Sequence, residues 1–158
     1  MSELRVEKIR WYHRLRSSWY TLLKLLITRT NMWLLVKSNG RLGNSFLGKS
    51  VLLLHSVGSK SGLPRVTPLF YLQDGNNIVL VASNAGTLTN PAWFNNLVAR
   101  PEAAVTIRGV RTERIAHVAT PAEFKQLWPK VTEMFPTWER IQENSVRNFP
   151  IIVLELRQ

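Results

Sequence analysis

The sequence predicts a mainly β domain of the α+β class, in which six short antiparallel strands close a small barrel flanked by helices. Two hairpin signals support this prediction, because Asp74-Gly75-Asn76 and Gly109 each separate two strand-like segments. A last apolar strand runs from Pro150 to Leu156. The chain has 158 residues, of which 45% are hydrophobic, so it is long enough for one substantial core.

The first predicted element is an amphipathic helix over residues 4–28. Its apolar side chains recur at spacings of three, four or seven, and Arg and Lys residues recur on the opposite side. We therefore divide the chain into a basic amphipathic helix, residues 1–30, and a barrel domain, residues 31–158. The helix either makes a peripheral contact with a membrane surface or packs its apolar stripe on the barrel. It falls short of the roughly 20 consecutive apolar residues that a membrane-spanning helix needs.

A glycine-rich loop is predicted over residues 38–50, and the chain is β-rich after it. The predicted strands are short apolar or alternating runs bounded by turn residues. They cover residues 51–57, 65–73, 77–83, 103–108, 110–119 and 150–156.

Helices are predicted between these strands. Asn90 followed by Pro91 is typical of a helix start, and this helix is expected to run to about Ala99. Thr120 and Glu123 have the spacing of a capping box, which predicts a helix through Trp128 that Pro129 interrupts. A further short helix is expected from residue 137.

Charge is the clearest compositional signal. The net charge is +11, and residues 1–50 contribute +8 of it. Such an excess favours an anionic partner, either a membrane surface, a nucleic acid or a multiply charged cofactor, although a solvated basic face would also produce it.

Several classes of chemistry lack their residues. The chain has no cysteine, which excludes a thiol nucleophile, a disulfide scaffold and a cysteine-bound metal. Its three histidines are scattered without metal-ligand spacing, and His55 is expected to be a satisfied barrel residue. Residues 43–50 match the pattern GxxxxGK[ST], but the apolar run after them predicts a strand instead of the helix that a phosphate loop requires.

Two segments form the candidate site. The turn from Gly58 to Arg65 gathers two cations and two hydroxyls, a chemistry suited to phosphate or carboxylate, although an ordinary polar loop has the same composition. The segment from Asn90 to Leu97 opens a helix whose free amides favour an anion, and Trp93 adds an aromatic plane or simply packs in the core. Small residues over 81–86 would let a flat ligand approach closely. We expect the turn and the helix start to converge on one cleft.

The motifs Gly58-x-Lys60-Ser61-Gly62-x-Pro64-Arg65, Ala82-Ser83-x-x-Gly86 and Asn90-Pro91-x-Trp93-x-x-Asn96-Leu97 resemble the signature of the bacterial deazaflavin-dependent nitroreductase and quinone reductase family. The similarity spans about residues 40–156, in order. It implies an FMN-binding split-barrel-like fold, a cytoplasmic oxidoreductase and the cofactor coenzyme F-420, an 8-hydroxy-5-deazaflavin with a phosphate and an oligoglutamate tail. The reduced cofactor would pass a hydride to a small-molecule acceptor, namely a quinone, nitroaromatic or activated enone.

The resemblance also implies roles for individual residues. The phosphate would be held by Ser59, Lys60, Ser61 and Arg65. The strand beside the ring and ribityl chain would supply Val66, Thr67, Pro68, Leu69 and Phe70, and backbone contacts would come from Val81, Ala82, Ser83 and Asn84. The site would be closed by Ala92, Trp93, Phe94, Asn95 and Asn96.

Trp138 is the candidate catalytic residue. It and Ile141 stand where nitroreductase-active relatives have tyrosines that bind the acceptor, and Trp138 can donate only through its indole N–H. This favours quinones over bulky nitroaromatics. Two other functions remain open from the residues alone: the same barrel holding FMN or haem, and a non-enzymatic basic module that binds lipid or nucleic acid. The resemblance implies no nucleic-acid partner.

Overall fold

A computed structural model describes residues 30, 33–42, 45–46, 48–145 and 147–157. The predicted amphipathic helix over residues 4–28 lies outside this part of the chain. The described strands are β1 (Ser45–Phe46), β2 (Lys49–Val57), β3 (Pro64–Phe70), β4 (Leu72–Asp74), β5 (Asn77–Val81), β6 (Glu102–Ile107), β7 (Val110–Val118) and β8 (Ile151–Leu156). The helices are α1 (Ala92–Ala99), α2 (Pro121–Met134) and α3 (Pro136–Glu143), with a short helical turn at Asn84–Gly86 and a helical segment over residues 33–37.

The strands form one curled antiparallel sheet in the order β1-β2-β6-β7-β8-β5-β4, with β3 paired to β2. The prediction of one continuous strand over residues 65–73 was wrong, because the strand is broken at Tyr71 into β3 and β4. Before this break the chain pairs with β2, from Val57 opposite Pro64 to Val51 opposite Phe70. After it, the chain pairs with β5. The bent segment therefore links the two ends of the sheet, and it provides the barrel-like closure that the sequence predicted.

Both predicted hairpins are present. Asp74 pairs with Asn77 across a two-residue turn, and Ile107 pairs with Val110 across a second one. In this second turn Arg108 has φ 49° and Gly109 has φ 83°. Two positive φ angles are typical of the turn that matches the right-handed twist of a hairpin. The hairpin signals in the sequence thus located these connections correctly.

Strand β2 is buried on both faces. Alternate side chains of a strand point to opposite sides, so two sets of its residues pack in different clusters. Leu52 and Leu54 pack in the main core with α1, and Val51 and Leu53 pack with Leu35 of the helical segment over residues 33–37. The predicted loop over residues 38–50 was partly wrong, since β1 and the first two residues of β2 lie in it. These additions account, with the break at Tyr71, for eight strands in the described chain instead of six.

Helix α2 covers the other side of the sheet, where its Leu127 and Val131 pack against residues of β5 and β8. The predicted capping box is confirmed: the Thr120 hydroxyl accepts from the Glu123 amide, and the Glu123 carboxylate accepts from the Thr120 amide. The prediction that Pro129 interrupts the helix was wrong, because α2 continues to Met134. A proline removes one helical hydrogen bond, and burial of apolar residues on both sides of Pro129 outweighs that loss.

The start of α1 also differs from the prediction. Asn90 does not cap the helix; the residue before its first turn is Pro91, and no side chain caps it. The Asn90 side chain instead accepts a hydrogen bond of 2.7 Å from Arg147. Among the described residues, no helix is both long and apolar enough to cross a membrane.

Candidate active site

A cleft of about 580 Å³ lies between the turn that joins β2 to β3, the first residues of β3 and the N-terminal part of α1. Ten of the residues that the sequence assigned to the cofactor lie together here. The lining consists of Gly58, Ser59, Lys60, Ser61, Arg65, Val66, Thr67, Ala92, Trp93, Asn95 and Asn96. The expected convergence of the cationic turn and the tryptophan-bearing helix is therefore present.

The turn is closed by its own backbone. The Gly58 amide donates to the Leu63 carbonyl at 2.9 Å, and the Gly62 amide donates to the Gly58 carbonyl at 2.8 Å. The Ser61 hydroxyl lies inside this turn, where it accepts from Nη2 of Arg65 at 3.4 Å. A Cβ on Gly58 would lie 2.5 Å from that hydroxyl oxygen. Only glycine at this position therefore leaves room for Ser61 and Arg65 to meet.

Asn96 fixes the turn to the helix. It is 8% exposed, and its Oδ1 accepts a hydrogen bond of 2.9 Å from the Ser59 amide. A buried amide without a partner costs about 1–3 kcal/mol, so this contact sets the distance between the two walls. The amide of Asn96 therefore has a definite structural task in addition to lining the cleft.

The cleft is cationic. Lys60 and Arg65 are exposed, and the described residues that line the cleft include no carboxylate and no imidazole. Ser59, Ser61 and Thr67 add hydroxyl groups around the two cations. Charged donors beside neutral donors are the usual set for a phosphate or a carboxylate. The described chain brings no three His, Asp or Glu side chains together as a possible metal site.

Trp93 serves both of the roles considered for it. It is only 6% exposed and belongs to the main core, where its ring meets Phe94 edge-on with centroids 6.4 Å apart. It also lines the cleft. Its ring is thus held rigidly by packing while part of it faces the cavity, as a fixed aromatic wall requires.

The remaining predicted cofactor residues do not line this cleft. Leu69 and Phe94 pack against or within the main core, Ala82 is fully buried there, and Val81 lies in the core beneath α2. Leu69 lies on the same face of β3 as Thr67, so its position farther along the strand, and not its face, keeps it out of the cleft. The other predicted cofactor residues that do not line the cleft are Pro68, Phe70, Ser83 and Asn84.

Trp138 lies in an aromatic cluster at the junction of α2 and α3, not among the residues that line the cleft. Its ring is 4.3 Å from that of Phe135, which in turn is 5.1 Å from Phe70. The ammonium of Lys49 is 5.3 Å from the Phe135 ring. This cluster holds the start of α3 against the far end of β3.

Ile141 marks the other contact of α3. A Cβ added to Gly86 would lie 2.9 Å from its Cγ2 atom, so the helix and the turn at Asn84–Gly86 approach closely. None of the residues in α3 is buried. Trp138 and Ile141 are both partly buried against the core under α2, so these two side chains attach α3 to the barrel.

His55 has the structural role expected of it. Its Nε2 lies 2.8 Å from the Thr106 hydroxyl on the neighbouring strand β6. Burial, with a smaller contribution from Arg111, lowers the pKa of His55 below its ordinary value of 6.5, and Glu113 opposes this shift. An imidazole with a hydrogen-bond partner on the neighbouring strand needs no catalytic explanation.

Residues 27–156 match the model of a protein family described as F420H2-dependent quinone reductase. A Mycobacterium tuberculosis protein provisionally named as such a reductase, Rv3178, is 36% identical over 106 residues, which cover 67% of this chain and 89% of that protein. The F420H2-dependent quinone reductase Rv1261c of the same species is 33% identical over 124 residues, covering 76% of this chain and 83% of the relative.

Solved structures show the same architecture. The structure of an F420-H2 dependent reductase, FDR-A, superimposes with a TM-score of 0.62 at 26% identity, covering 66% of this chain and 93% of that one. A structure described as a domain-swapped dimer gives a TM-score of 0.64 at 23% identity, covering 84% and 99%, and shares the fold. The split-barrel class that the sequence resemblance implied is confirmed.

Proposed function

Because the chain belongs to the F420H2-dependent quinone reductase family, we propose that it transfers a hydride from reduced coenzyme F-420 to a quinone, with its cofactor in the cleft between the β2–β3 turn and α1. The observation that carries the assignment of the site is the meeting of Lys60, Arg65 and Trp93 around one cavity. Nitroaromatics and activated enones are further acceptors under this proposal.

The chemistry of the cleft fits the proposed cofactor. A phosphate and carboxylates need cations and neutral donors, which Lys60, Arg65 and the hydroxyls of Ser59 and Ser61 provide. A flat ring needs an apolar, rigid wall, which Trp93 provides. Bound there, the reduced deazaflavin supplies the hydride.

The residues of the chain act by positioning. Arg65, held at Ser61, would fix the phosphate end, and the Ser59–Asn96 hydrogen bond keeps the two walls at a constant separation. Val66 and Thr67 lie next along β3 and would flank the middle of the ligand. Holding two reactants in the reactive arrangement supplies much of the rate when the cofactor carries the chemistry. Positioning by the chain suits a reductase in which the described residues lining the cleft include no acid–base pair.

The acceptor would lie on the side of α3, where Trp138 is the proposed contact. Its indole N–H is a donor suited to a quinone oxygen, and Ile141 offers only apolar surface. Neither side chain is fully buried, so each keeps some surface that an acceptor could reach. We therefore expect broad quinone use and poor turnover of bulky nitroaromatics.

Titration of the purified full chain with F-420 and FMN tests the site, with ring fluorescence as the signal. We expect selective binding of F-420, and at least a tenfold loss of affinity in Lys60→Ala and Arg65→Ala, since each removes a charge-assisted contact of about 1.5–3 kcal/mol. Lys125→Ala, which removes an exposed cation of α2, is the matched control and should bind as the parent chain does. Equal affinity for F-420 in all four proteins would place the cofactor elsewhere, and preference for FMN would favour a flavoprotein.

A peripheral contact with the cytoplasmic face of a membrane is the second part of the proposal. The predicted basic amphipathic helix over residues 4–28 precedes, in the sequence, the helical segment over residues 33–37, where Trp33 is 62% exposed one turn from Lys37. Exposed tryptophan with neighbouring cations is typical of a segment in an anionic lipid interface. Such a location would bring the enzyme close to lipid-soluble quinones.

Co-sedimentation with anionic and with neutral liposomes tests this contact. The full chain should pellet with anionic vesicles and much less with neutral ones. A chain that lacks residues 1–28 should remain in the supernatant, and a further variant, Trp33→Ser in the full chain, should pellet less than its parent. If the shortened chain pellets as well as the full one, the amphipathic helix is not the membrane anchor.

A further inference from the structure

The connection between β5 and α1 contains three consecutive residues in the left-handed region. Asn84, Ala85 and Gly86 have φ angles of 46°, 53° and 80°. A residue with a Cβ is disfavoured there, and two in succession persist only where their surroundings enforce the conformation. Neither Asn84 nor Ala85 is buried, so side-chain packing is not the cause; within the connection, Nδ2 of Asn84 donates to the Thr89 carbonyl at 3.0 Å.

Arg147 adds contacts from outside the connection. Its Nη2 donates to the carbonyls of Ala82 and Ser83 at 2.9 and 2.8 Å, directly before the left-handed turn. Its Nε donates to the carbonyl of Thr87 at 2.7 Å, directly after the turn. One guanidinium thus binds the backbone on both sides of the three left-handed residues.

The same side chain reaches the start of α1. Nη1 of Arg147 donates to Oδ1 of Asn90 at 2.7 Å, two residues before the helix begins. Helix α1 carries Ala92 and Trp93, which line the cleft. The contact explains why Asn90 does not cap the helix, and it connects the left-handed turn to the aromatic wall of the site.

Arg147 is itself held in place by a residue of the core and a residue of α3. Its guanidinium lies 4.9 Å from the ring of Phe149, a fully buried residue of the core under α2. Its carbonyl accepts from Nε2 of Gln142 at 2.8 Å, and Oε1 of Gln142 accepts from the Phe149 amide, also at 2.8 Å. Gln142 belongs to α3, the helix proposed to face the acceptor. Arg147 therefore stands between the acceptor side and the cofactor side of the molecule.

We propose that Arg147 is a positioning residue for the reaction: it holds the left-handed turn and the entrance of α1 in the geometry that the cofactor needs. This inference rests on the proposed function, since it concerns the same cleft. Arg147 does not line the cleft, and it acts through Ala82, Ser83 and Asn90. A planar guanidinium can reach four acceptors at once, which the single ammonium of lysine cannot.

The test measures F-420 affinity by ring fluorescence in Arg147→Gln, Arg147→Lys and the control Arg140→Gln, which removes an exposed arginine of α3. We expect a loss of about tenfold in Arg147→Gln and a severalfold loss in Arg147→Lys, because the carbonyls of Ala82, Ser83 and Thr87 lose charged donors. Arg140→Gln should retain the parent affinity. Thermal melts of each variant establish that it is folded.

A second-site change separates positioning from general stabilisation. Ala85→Gly makes the left-handed conformation accessible without the steric penalty of a Cβ. The conformation of the turn then depends less on the hydrogen bonds from Arg147. Added to Arg147→Gln, it should recover a severalfold part of the lost affinity, whereas alone it should change affinity less than twofold. A merely structural role of Arg147 predicts no such recovery.

The outcomes distinguish the inference from the function on which it rests. If the parent chain fails to bind F-420, the proposed function fails. If the parent binds and folded Arg147→Gln binds equally well, the function stands and the role of Arg147 is overturned. Weak binding in Arg147→Gln without any recovery by Ala85→Gly also overturns it, because the arginine would then act by a route other than the left-handed turn.

Discussion

Ser59 and Asn96 are 37 residues apart in the sequence, yet the backbone amide of the first donates a 2.9 Å hydrogen bond to the side chain of the second. Ser59 belongs to the cationic turn and Asn96 to the helix that carries Trp93. The bond therefore joins the two walls of the cleft, and because Asn96 is buried it is shielded from competing water.

Two substitutions of Asn96 should separate the effect of its hydrogen bond on stability from the effect of a negative charge at this position on cofactor binding. In Asn96→Ala the Ser59 amide loses its partner, so we expect a loss of about 1–3 kcal/mol in the free energy of unfolding together with weaker F-420 binding. In Asn96→Asp the acceptor oxygen remains, so stability should change less, but a carboxylate enters a cationic cleft and should weaken binding of an anionic cofactor. Chemical denaturation and fluorescence titration measure the two quantities.

Val98→Ser is the matched control for these variants, because Val98 is 56% exposed on the same helix and does not line the cleft. It should alter neither quantity appreciably. Parent-like stability and affinity in Asn96→Ala would show that the Ser59–Asn96 bond does not hold the cleft together.

Local signals in the sequence located most of this fold. The hairpin turns and the Thr120–Glu123 capping box depend on residues a few positions apart, and all of them are present. The break at Tyr71 has no local signature, since it arises where one strand must serve two partners, β2 and β5. Asn90 has every local feature of a helix cap, and a partner 57 residues away in the chain engages its side chain instead.

In the candidate site, too, some residues are identifiable from local sequence signals and others depend on contacts with distant residues. Lys60, Arg65 and Trp93 were identifiable from their chemistry and spacing, and they do converge. Phe94 packs within the main core and Leu69 packs against it, so membership of a motif did not place every residue in the cleft. Arg147 could not be identified as a member of the site, because its role depends on carbonyl groups of distant residues and those carry no signal in the sequence.

Gly58 and Ser61 should show strong coupling. Gly58→Ala places a methyl group 2.5 Å from the Ser61 hydroxyl oxygen, so Ser61 must rotate away and lose its contact with Arg65. We expect weaker F-420 binding in Gly58→Ala. The double variant Gly58→Ala with Ser61→Ala removes the clash and should bind no worse than Ser61→Ala alone, a non-additive result for two residues in contact.

Gly62→Ala provides the comparison for that pair. Gly62 has φ +67° and nothing lies within 4 Å of an added Cβ, so the change costs only backbone strain, about 1 kcal/mol in stability. If Gly58→Ala and Gly62→Ala reduce affinity equally, the clash with Ser61 is not the cause.

His55 should titrate below its ordinary pKa of 6.5, because burial disfavours the imidazolium and Arg111 repels it. A pKa lowered by folding means that the unfolded chain binds the proton more readily. The contribution of His55 to stability is therefore complete above pH 6.5 and is lost as the pH falls below that value. NMR titration of the His55 ring measures the pKa directly.

Arg111→Gln is the informative variant for this titration. It removes the repulsive charge and leaves the attraction of Glu113 unopposed, so the pKa of His55 should rise, although burial still holds it down. A pKa that does not move in Arg111→Gln would leave burial as the whole cause of the shift.

Glu123 offers a prediction at lower pH. Hydrogen bonds from the Thr120 amide, the His117 ring and the Thr120 hydroxyl favour the carboxylate and lower the pKa of Glu123 from 4.5 to about 2. Since folding lowers this pKa, the carboxylate stabilises the native state above pH 4.5, and that contribution is lost as the pH falls towards 2. The side chain is 37% exposed, which reduces the effect through solvent screening.

Glu123→Gln isolates the charge, because glutamine also serves in a capping box and preserves the start of α2. The parent chain should be the more stable of the two at pH 7, and the difference in free energy of unfolding should shrink steadily between pH 4.5 and 2, as measured by urea denaturation at each pH. Thr120→Ala should instead lower stability by about 0.5–2 kcal/mol, since it removes the cap itself. A constant difference between the parent and Glu123→Gln over this range would mean that the carboxylate has the same pKa in the folded and unfolded chains, and the hydrogen bonds at the start of α2 would then not depend on its charge.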